Sequence, residues 1–438
     1  MIDSLYGPGG RVSKRIRRAA ASLALIMAIA LCLRLLHAWE YQRERPRPAL
    51  GVFPFLFEPG NVGVALAKGH GFSSPFREDT GPTAWLTPVY PLILAGIFRI
   101  FGVYTLASFA AAAGLNILFS TLTILPLYHA ARRVGGTGVA ALAAWLWAVF
   151  PNAIKLPVES IWEASLAALL AAAILWATLA LADSQKIRSW CAYGLLWGLA
   201  LMTSPALGSL LPLLLGWLAW RARPRLGRPL VAVAIALLCC LPWTIRNFET
   251  FHAFIPLRSV FGLTLRLGNQ DQAADPFFGR MHPIYNSAQR ARYAELGEVA
   301  YMREKKQEAL QFIAEHPGAE ARAIWSHFVA LWTGGTARPL EDFLHSRSWS
   351  FRGVLLFNLL AAAGALCGVA MLLAPRHPYA FPVAVFPAVF PLVYYLSQGS
   401  ARYRHPIDPV LMLLLAVALW SARTRSIKTQ PHQVPPRH

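Results

Sequence analysis

Charge is what this chain has least of. Only 14% of its 438 residues are Asp, Glu, Lys or Arg, where a soluble domain carries about 25%. Acids are scarcer still, 21 against 41 Lys and Arg. The five cysteines, Cys32, Cys191, Cys239, Cys240 and Cys367, all lie in apolar runs. None has a CxxC partner, which excludes a disulfide framework and a cysteine zinc site; they read as small buried hydrophobes. Zinc fingers, aromatic RNA-binding motifs and basic heptads are absent, so the formal charge of +20 is not a nucleic-acid signal. A repeat of 20–50 residues is missing too, which argues against a repeat-built transporter.

What is abundant is apolar sequence, 56% of the chain, with 15 Trp. Several runs approach the roughly 20 residues that a helix needs to cross a bilayer, and Trp is enriched at membrane interfaces. The first run, 19–38, follows Lys14, Arg15, Arg17 and Arg18 as in a secretory signal. It has no clear small-x-small cleavage site, and further spans follow, so it reads as a retained anchor.

Basic clusters set the orientation, because short cytoplasmic loops are rich in Lys and Arg. Lys14–Arg18, Arg132–Arg133, Lys186–Arg188, Arg221–Arg228, Arg376 and Arg423–Lys428 are placed inside, where they also suit anionic lipid. This predicts an all-α polytopic membrane protein with spans near 19–38, 104–131, 137–152, 158–182, 189–203, 205–220, 229–245, 351–373, 378–398 and 406–421. About ten crossings result, with both termini cytoplasmic. The stretch 189–220 holds two helices of about 15 residues, roughly 23 Å each, which are short spans or a re-entrant pair. The expected organisation is a cytoplasmic N-terminus (1–18), a membrane region (19–245), an outer helical segment (246–350), C-terminal membrane helices (351–421) and a cytoplasmic tail (422–438), with "TQPHQVPPRH" disordered.

Two segments are left on the outer face, 39–103 and 246–350. Of the acids, only Asp3 and Asp183 fall on the cytoplasmic side, so chemistry that needs carboxylates belongs outside. In the first segment, 58–68 reads as a short helix, weakened by Gly60 and Gly63, followed by a Gly- and Pro-rich loop. Residues 86–102 hold two prolines and read as a helix lying on the outer surface. In the second segment, "SAQRARYAELGEVAYMREKKQEALQFIAEHPG" is helical, with Ser287 as cap and His316-Pro317-Gly318 as stop. "AEARAIWSHFVALWTGG" suits an interfacial helix.

A charged residue in an apolar run is expensive and raises a functional question. Arg34 lies near the outer end of the first span; it either snorkels to the interface or holds an anion. Glu159 and Glu163, at i and i+4 in "PVESIWEASL", are expected on one helix face, solvated or sharing a cation or proton. Arg402 and Arg404 in "ARYRHPIDP", and Arg246 in "PWTIRNF", stand on the outer side against the positive-inside preference. Headgroup contact is the plain reading, and phosphate binding the functional one. Arg258 and Arg266 follow Arg246. His70, His252 and His405 have no diagnostic metal spacing.

Four stretches together resemble the bacterial membrane glycosyltransferases of the C-type fold, the relatives of protein O-mannosyltransferases and of the lipid A aminoarabinose transferase. They are "FEPGNVGVALAKGHGFSSPF" with "TGPTAWLTPVYPLILAGIFRIFG"; "PWTIRNFETFHAFIPLRSVFGLTLRLGNQ"; "GEVAYMREKKQEALQFIAEHPG"; and "ARYRHPIDPVL". The resemblance implies a bacterial inner-membrane enzyme that takes a sugar from a polyprenyl phosphate on the outer face. The acceptor would be a lipid, a glycan or a protein. An acid of the first outer loop would act as base, and basic residues would hold the phosphate. Many relatives have an Asp-Glu pair where this chain has Phe55-Leu56-Phe57, so Glu58 is the nearest acid. Glu163 matches a second acid of the family, and Glu78 and Asp79 are substitutes. Arg402, Arg404, Arg246 and Arg34 are the expected phosphate ligands, and His70, Trp85, Tyr90 and Tyr403 the expected substrate contacts. No cofactor is implied with certainty, and a divalent metal stays open.

The chemistry is consistent with these residue types. Glycosyl transfer from a phosphate passes through an oxocarbenium-like transition state, which needs a carboxylate base and cations on the leaving group. One base without a protein nucleophile gives inversion. A lipid-linked glycan polymerase or ligase would use similar donors without the first-loop acid. A flippase would carry ionisable residues through the bilayer, and a scaffold would tolerate neutral substitutions at Glu58 and the arginines.

Overall fold

In the computed structural model, residues 22–44, 55, 57–76, 78–221, 227–269, 281–346 and 348–429 are described. Helices dominate, and among these residues no β-strand forms; a single bridge joins Ser73 to Pro82. The disordered tail and the first basic cluster expected from the sequence lie outside the described residues.

Six helical stretches are long and apolar enough to cross a membrane: Leu23–Glu44, Leu106–Val149, Ala164–Leu181, Gly227–Phe251, Trp349–Leu373 and Ala401–Arg423. The expected count of about ten is therefore not reached by length. The shortfall is at 187–221 and 380–395. Ile187–Leu201 has 15 residues and Leu211–Arg221 has 11. Ala380–Val389 and Leu392–Tyr395 are separated around Pro391, whose ring cannot continue a helix. The run Leu106–Val149 is divided within α5 (Ile124–Val149), where Gly135 and Gly136 leave helical geometry. That break falls where the sequence separates 104–131 from 137–152.

The expected helix 158–182 is two helices. α6 (Pro151–Glu159) ends two residues after its internal Pro157, Ser160 is extended, and α7 (Ala164–Leu181) begins after Glu163. Glu159 and Glu163 consequently do not share a helix face. Glu159 turns to His37, 3.0 Å away. Two further expectations change. The cap of α12 (Ser287–Leu296) is Asn286, whose side chain accepts from Gln289 N–H, not Ser287. Cys32 and Cys367 are exposed on apolar helices instead of buried.

In the first of the two segments left between spans, 39–103, α2 (Glu58–Ala67) forms where the sequence places it. α3 (Val89–Phe101) has 13 residues, with Tyr90, Leu94, Ala95 and Phe98 buried and Leu92, Ile100 and Phe101 exposed. It is too short to span. In the second, α11 (Phe261–Gly268), α12, α13 (Glu298–Glu315) and α14 (Pro317–Thr333) follow α10 (Gly227–Phe251).

The segments 39–103 and 246–350 share one apolar core. Val62, Phe72, Phe76 and Trp85 of the first pack with Leu263, Leu267, Tyr293 and Tyr301 of the second. Polar ties fix the same contact. Arg246 donates to Thr83 O and Phe72 O, both at 2.8 Å. Glu298, 3% exposed, accepts from Thr83 Oγ1, Ala84 N, Ser259 Oγ and Tyr293 OH at 2.5–2.7 Å. A buried carboxylate is tolerated when its oxygens are satisfied in this way.

Candidate active site

The shared core roofs a cavity of about 400 Å³. Its walls come from the start of α2, the loop before α7, the stretch 258–267, the turn at 282–285 and the chain before the last span. Each wall has a local cause. Glu58 opens α2 ahead of Pro59, a residue suited to the first helical turn, and an acid at a helix N-terminus is favoured by the dipole. Glu163 stands just ahead of α7 because the chain breaks at 160–163. Arg402 belongs to the short turn Ala401–Arg404 that leads into the last span.

Glu58 is 3% exposed, and its Oε1 lies 3.1 Å from His282 Nε2. Glu163 is half-buried at the cavity wall, outside the apolar span. Burial pushes its carboxyl above the usual range, against the lowering influence of Arg402 and Arg258, and Glu58 adds to the rise. Arg402 lies 3.9 Å over the Trp162 ring and donates to Tyr403 OH at 3.0 Å. Arg258 reaches the cavity from an exposed position. The indole N–H of Trp162 is buried with no partner among the described residues. Trp85, Tyr285, Tyr394 and Tyr403 complete an aromatic lining. The result is an aromatic-walled pocket with two carboxyls and two guanidinium groups in its lining, a suitable vessel for a sugar phosphate.

The structure thus brings together Glu58, Glu163, Arg402, Trp85 and Tyr403 of the expected residues. The others are placed elsewhere. Arg34 is fully buried and donates to Ser120 Oγ (2.9 Å), Ala30 O (2.9 Å), Ala148 O (3.2 Å) and Trp147 O (3.3 Å). It binds carbonyls at the end of α5 and does not snorkel, because those acceptors satisfy it inside the bundle. Arg404 is also fully buried, paired with Asp408 at 2.7 Å and bonded to Leu331 O, Trp332 O and Asn358. Arg246 is held by Phe72 O and Thr83 O, as described. Asp79 accepts from Ser74 Oγ (3.0 Å) and Gly81 N (3.2 Å), pinning an exposed turn; Glu78 pairs with Arg290. Tyr90 is buried against Asn116, and His70 is exposed. None of these seven lines the cavity.

His282, Trp162, Tyr285 and Tyr394 were not singled out by the sequence. Trp162 stands between the two glutamates of "VESIWEASL", a signal that was available. His282, in "MHPIY", has no periodicity or acid neighbour to mark it.

Residues 84–245 match the family model described as dolichyl-phosphate-mannose-protein mannosyltransferase. A comparison with curated proteins gives no match. Among solved structures, the chain is similar to the Archaeoglobus fulgidus oligosaccharyltransferase crystallised with Zn and sulfate, at TM-score 0.57 and 16% identity over 92% of this chain and 49% of that one. It is similar also to the oligosaccharyltransferase AglB from Archaeoglobus fulgidus in complex with an inhibitory peptide and a dolichol-phosphate, at 0.55 and 16% over 95% and 52%. ArnT from Cupriavidus metallidurans bound to undecaprenyl phosphate scores 0.41, with 14% identity over 92% and 79%. The chain spans about half the length of the oligosaccharyltransferase chains that it matches. The outer-segment motifs, the family match over 84–245 and the shared fold agree on one family for the likeness, the membrane glycosyltransferases of the C-type fold.

Proposed function

We propose that the protein is a membrane glycosyltransferase that moves a sugar from a polyprenyl-phosphate donor to an acceptor hydroxyl or amine at the membrane's outer face. One observation carries the reading: a single aromatic-walled cavity collects Glu58, Glu163, Arg402 and Arg258 from parts of the chain far apart in sequence. Glu58 takes the acceptor proton as the acceptor attacks the anomeric carbon. The bond from that carbon to the phosphate oxygen breaks, and the oxygen keeps the electron pair. Arg402 and Arg258 stabilise the departing phosphate. A single displacement inverts the anomeric centre. Both termini in the bacterial cytoplasm and both outer segments outside complete the proposal.

Among the described residues, no group of three His, Cys, Asp or Glu is assembled. Glu58 and His282 meet at hydrogen-bond distance, 3.1 Å. The described residues do not assemble such a group, and no step is assigned to a metal.

The test uses purified full-length protein in nanodiscs, with polyprenyl-phosphate mannose, glucose, galactose and aminoarabinose as donors. Envelope lipids, glycans and proteins serve as acceptors, and mass spectrometry reads transfer. Glu58→Gln should lower kcat by about 10²–10⁴-fold with little change in donor affinity. Glu163→Gln should be milder, because burial already favours its neutral carboxyl, and Asp79→Asn should leave turnover unchanged. Near-normal turnover in Glu58→Gln with collapse in Glu163→Gln would transfer the base to Glu163. Full activity in all three would defeat the enzyme mechanism.

A further inference from the structure

We infer that Arg133 and Arg221 form a site for the phosphate of an anionic phospholipid, at the end of the bundle away from the cavity. α7 has 18 apolar residues and is long enough to cross a membrane, about 27 Å at its rise per residue. Glu163 stands just ahead of it, at the cavity wall, and Asp183 follows its last residue, Leu181. The two acids therefore mark opposite membrane surfaces. The site at Asp183 stands whether or not the cavity transfers a sugar.

The Asp183 carboxylate lies between two guanidinium groups and offers one oxygen to each. Oδ2 accepts from Arg133 Nη1 at 3.3 Å. Oδ1 is 3.9 Å from Arg221 Nη2, beyond hydrogen-bond distance. Among the described residues, Asp183 is the one acid that either arginine pairs with. Two cations thus face one carboxylate that fills the gap loosely. A phosphate has more oxygens to share between two Arg forks and makes stronger charged hydrogen bonds with them. The Asp183 side chain is 59% exposed, so it can turn to water when a phosphate takes its place.

The arginines are fixed, and their surroundings suit a lipid. Arg133 Nη1 also donates to Leu179 O, in the last turn of α7, at 3.0 Å. It stands two residues before the break at Gly135 and Gly136. Arg221 ends α9 (Leu211–Arg221) and lies 5.4 Å over the Trp217 ring. Trp217 in turn meets Tyr379, with centroids 6.4 Å apart. Aromatic rings of this kind are enriched at headgroup depth. Trp220, beside Arg221, is 59% exposed, and Ile187, just after Asp183, is 49% exposed. These apolar side chains would meet acyl chains, which a free anion lacks. A phosphodiester with one negative charge matches the surplus cation, and basic groups between spans are suited to such headgroups. Bound there, the lipid braces the end of α7 against α5 and α9.

Purified full-length protein in a neutral detergent tests the site. Native mass spectrometry counts bound lipid as dioleoyl phosphatidylglycerol or dioleoyl phosphatidylcholine is added. Phosphatidylglycerol should bind in preference, and its affinity should fall as salt is raised. Arg221→Gln should bind it about fivefold more weakly, the worth of one cation at an anionic surface. Asp183→Asn should bind it about fivefold more tightly, because the competing carboxylate is gone. Arg188→Gln, at an exposed cation in the first turn of the next helix, should leave the affinity unchanged. Arg133→Gln also loses its hold on Leu179 O and is expected to melt lower, so the other variants carry the test. Equal affinity for the two lipids rejects the site, as does wild-type affinity in either Arg221→Gln or Asp183→Asn. An equal loss in Arg188→Gln shows a diffuse basic field and rejects it too. Inorganic phosphate that displaces the lipid and follows the same order of variants overturns the lipid assignment in favour of a free anion.

Discussion

Arg402 and Arg404 are two residues apart on the same turn, yet their surroundings give them different work. Arg402 faces the cavity and bonds Tyr403. Arg404 is fully enclosed, and its donors go to Asp408, Asn358 and two carbonyls. Arg402→Ala should therefore weaken binding of undecaprenyl phosphate about tenfold or more, through loss of a charged hydrogen bond worth about 1.5–3 kcal/mol, with an unchanged unfolding temperature. Arg404→Ala leaves Asp408 buried and unpaired, which costs about 3–5 kcal/mol. It should appear as a lower Tm in detergent, not as a selective affinity change. Equal donor affinity in folded Arg402→Ala and wild type would remove Arg402 from the phosphate site.

At the scale of the element, α11 is the piece on which the cavity depends. It lies between α13 and the turn before the last span, and its two glycines are the points of contact. A Cβ on Gly262 would stand 1.9 Å from Met302 O, and one on Gly268 would stand 2.0 Å from Ser397 O. Both neighbours are backbone, so neither can rotate away. Gly268→Ala should displace the 397–402 turn, lower the unfolding temperature through about 1–3 kcal/mol of overpacking, and reduce donor binding through Arg402. Gly96→Ala is the control. That position in α3 has nothing within 4 Å, and Ala favours a helix by about 1 kcal/mol over Gly. If the two variants melt alike, close approach is not what holds α11.

Across the whole molecule, the segments 39–103 and 246–350 join into one cap, through the core around Trp85 and Tyr293 and the four-donor Glu298. A shared cap requires 39–103 and 246–350 to be on the same side of the membrane, as the charge pattern expects. Ala300→Cys in a cysteine-free background should react with an impermeant thiol reagent in intact spheroplasts, and Lys186→Cys only after permeabilisation. The reverse pattern would invert the proposed topology and put the cavity on the cytoplasmic face.

Composition, charge and periodicity were enough to show a helical membrane protein, helix 58–67, the short helix at 89–101 and the break near 135. Those features follow from local sequence: apolar length, proline position, and glycine where a helix must stop. The motif stretches were also enough to point at Glu58, Glu163 and Arg402. Tertiary structure alone decided the rest. Arg34, Arg246 and Arg404 carry the same charge as Arg402 and stand in similar sequence, but carbonyls and carboxylates from distant helices consume their donors, and no local pattern encodes those partners. Glu159 and Glu163 were separated by a chain break after Pro157 that an i, i+4 spacing does not reveal. His282 became visible only when folding set its Nε2 beside Glu58, because a contact between remote residues is a property of packing, not of spacing along the chain.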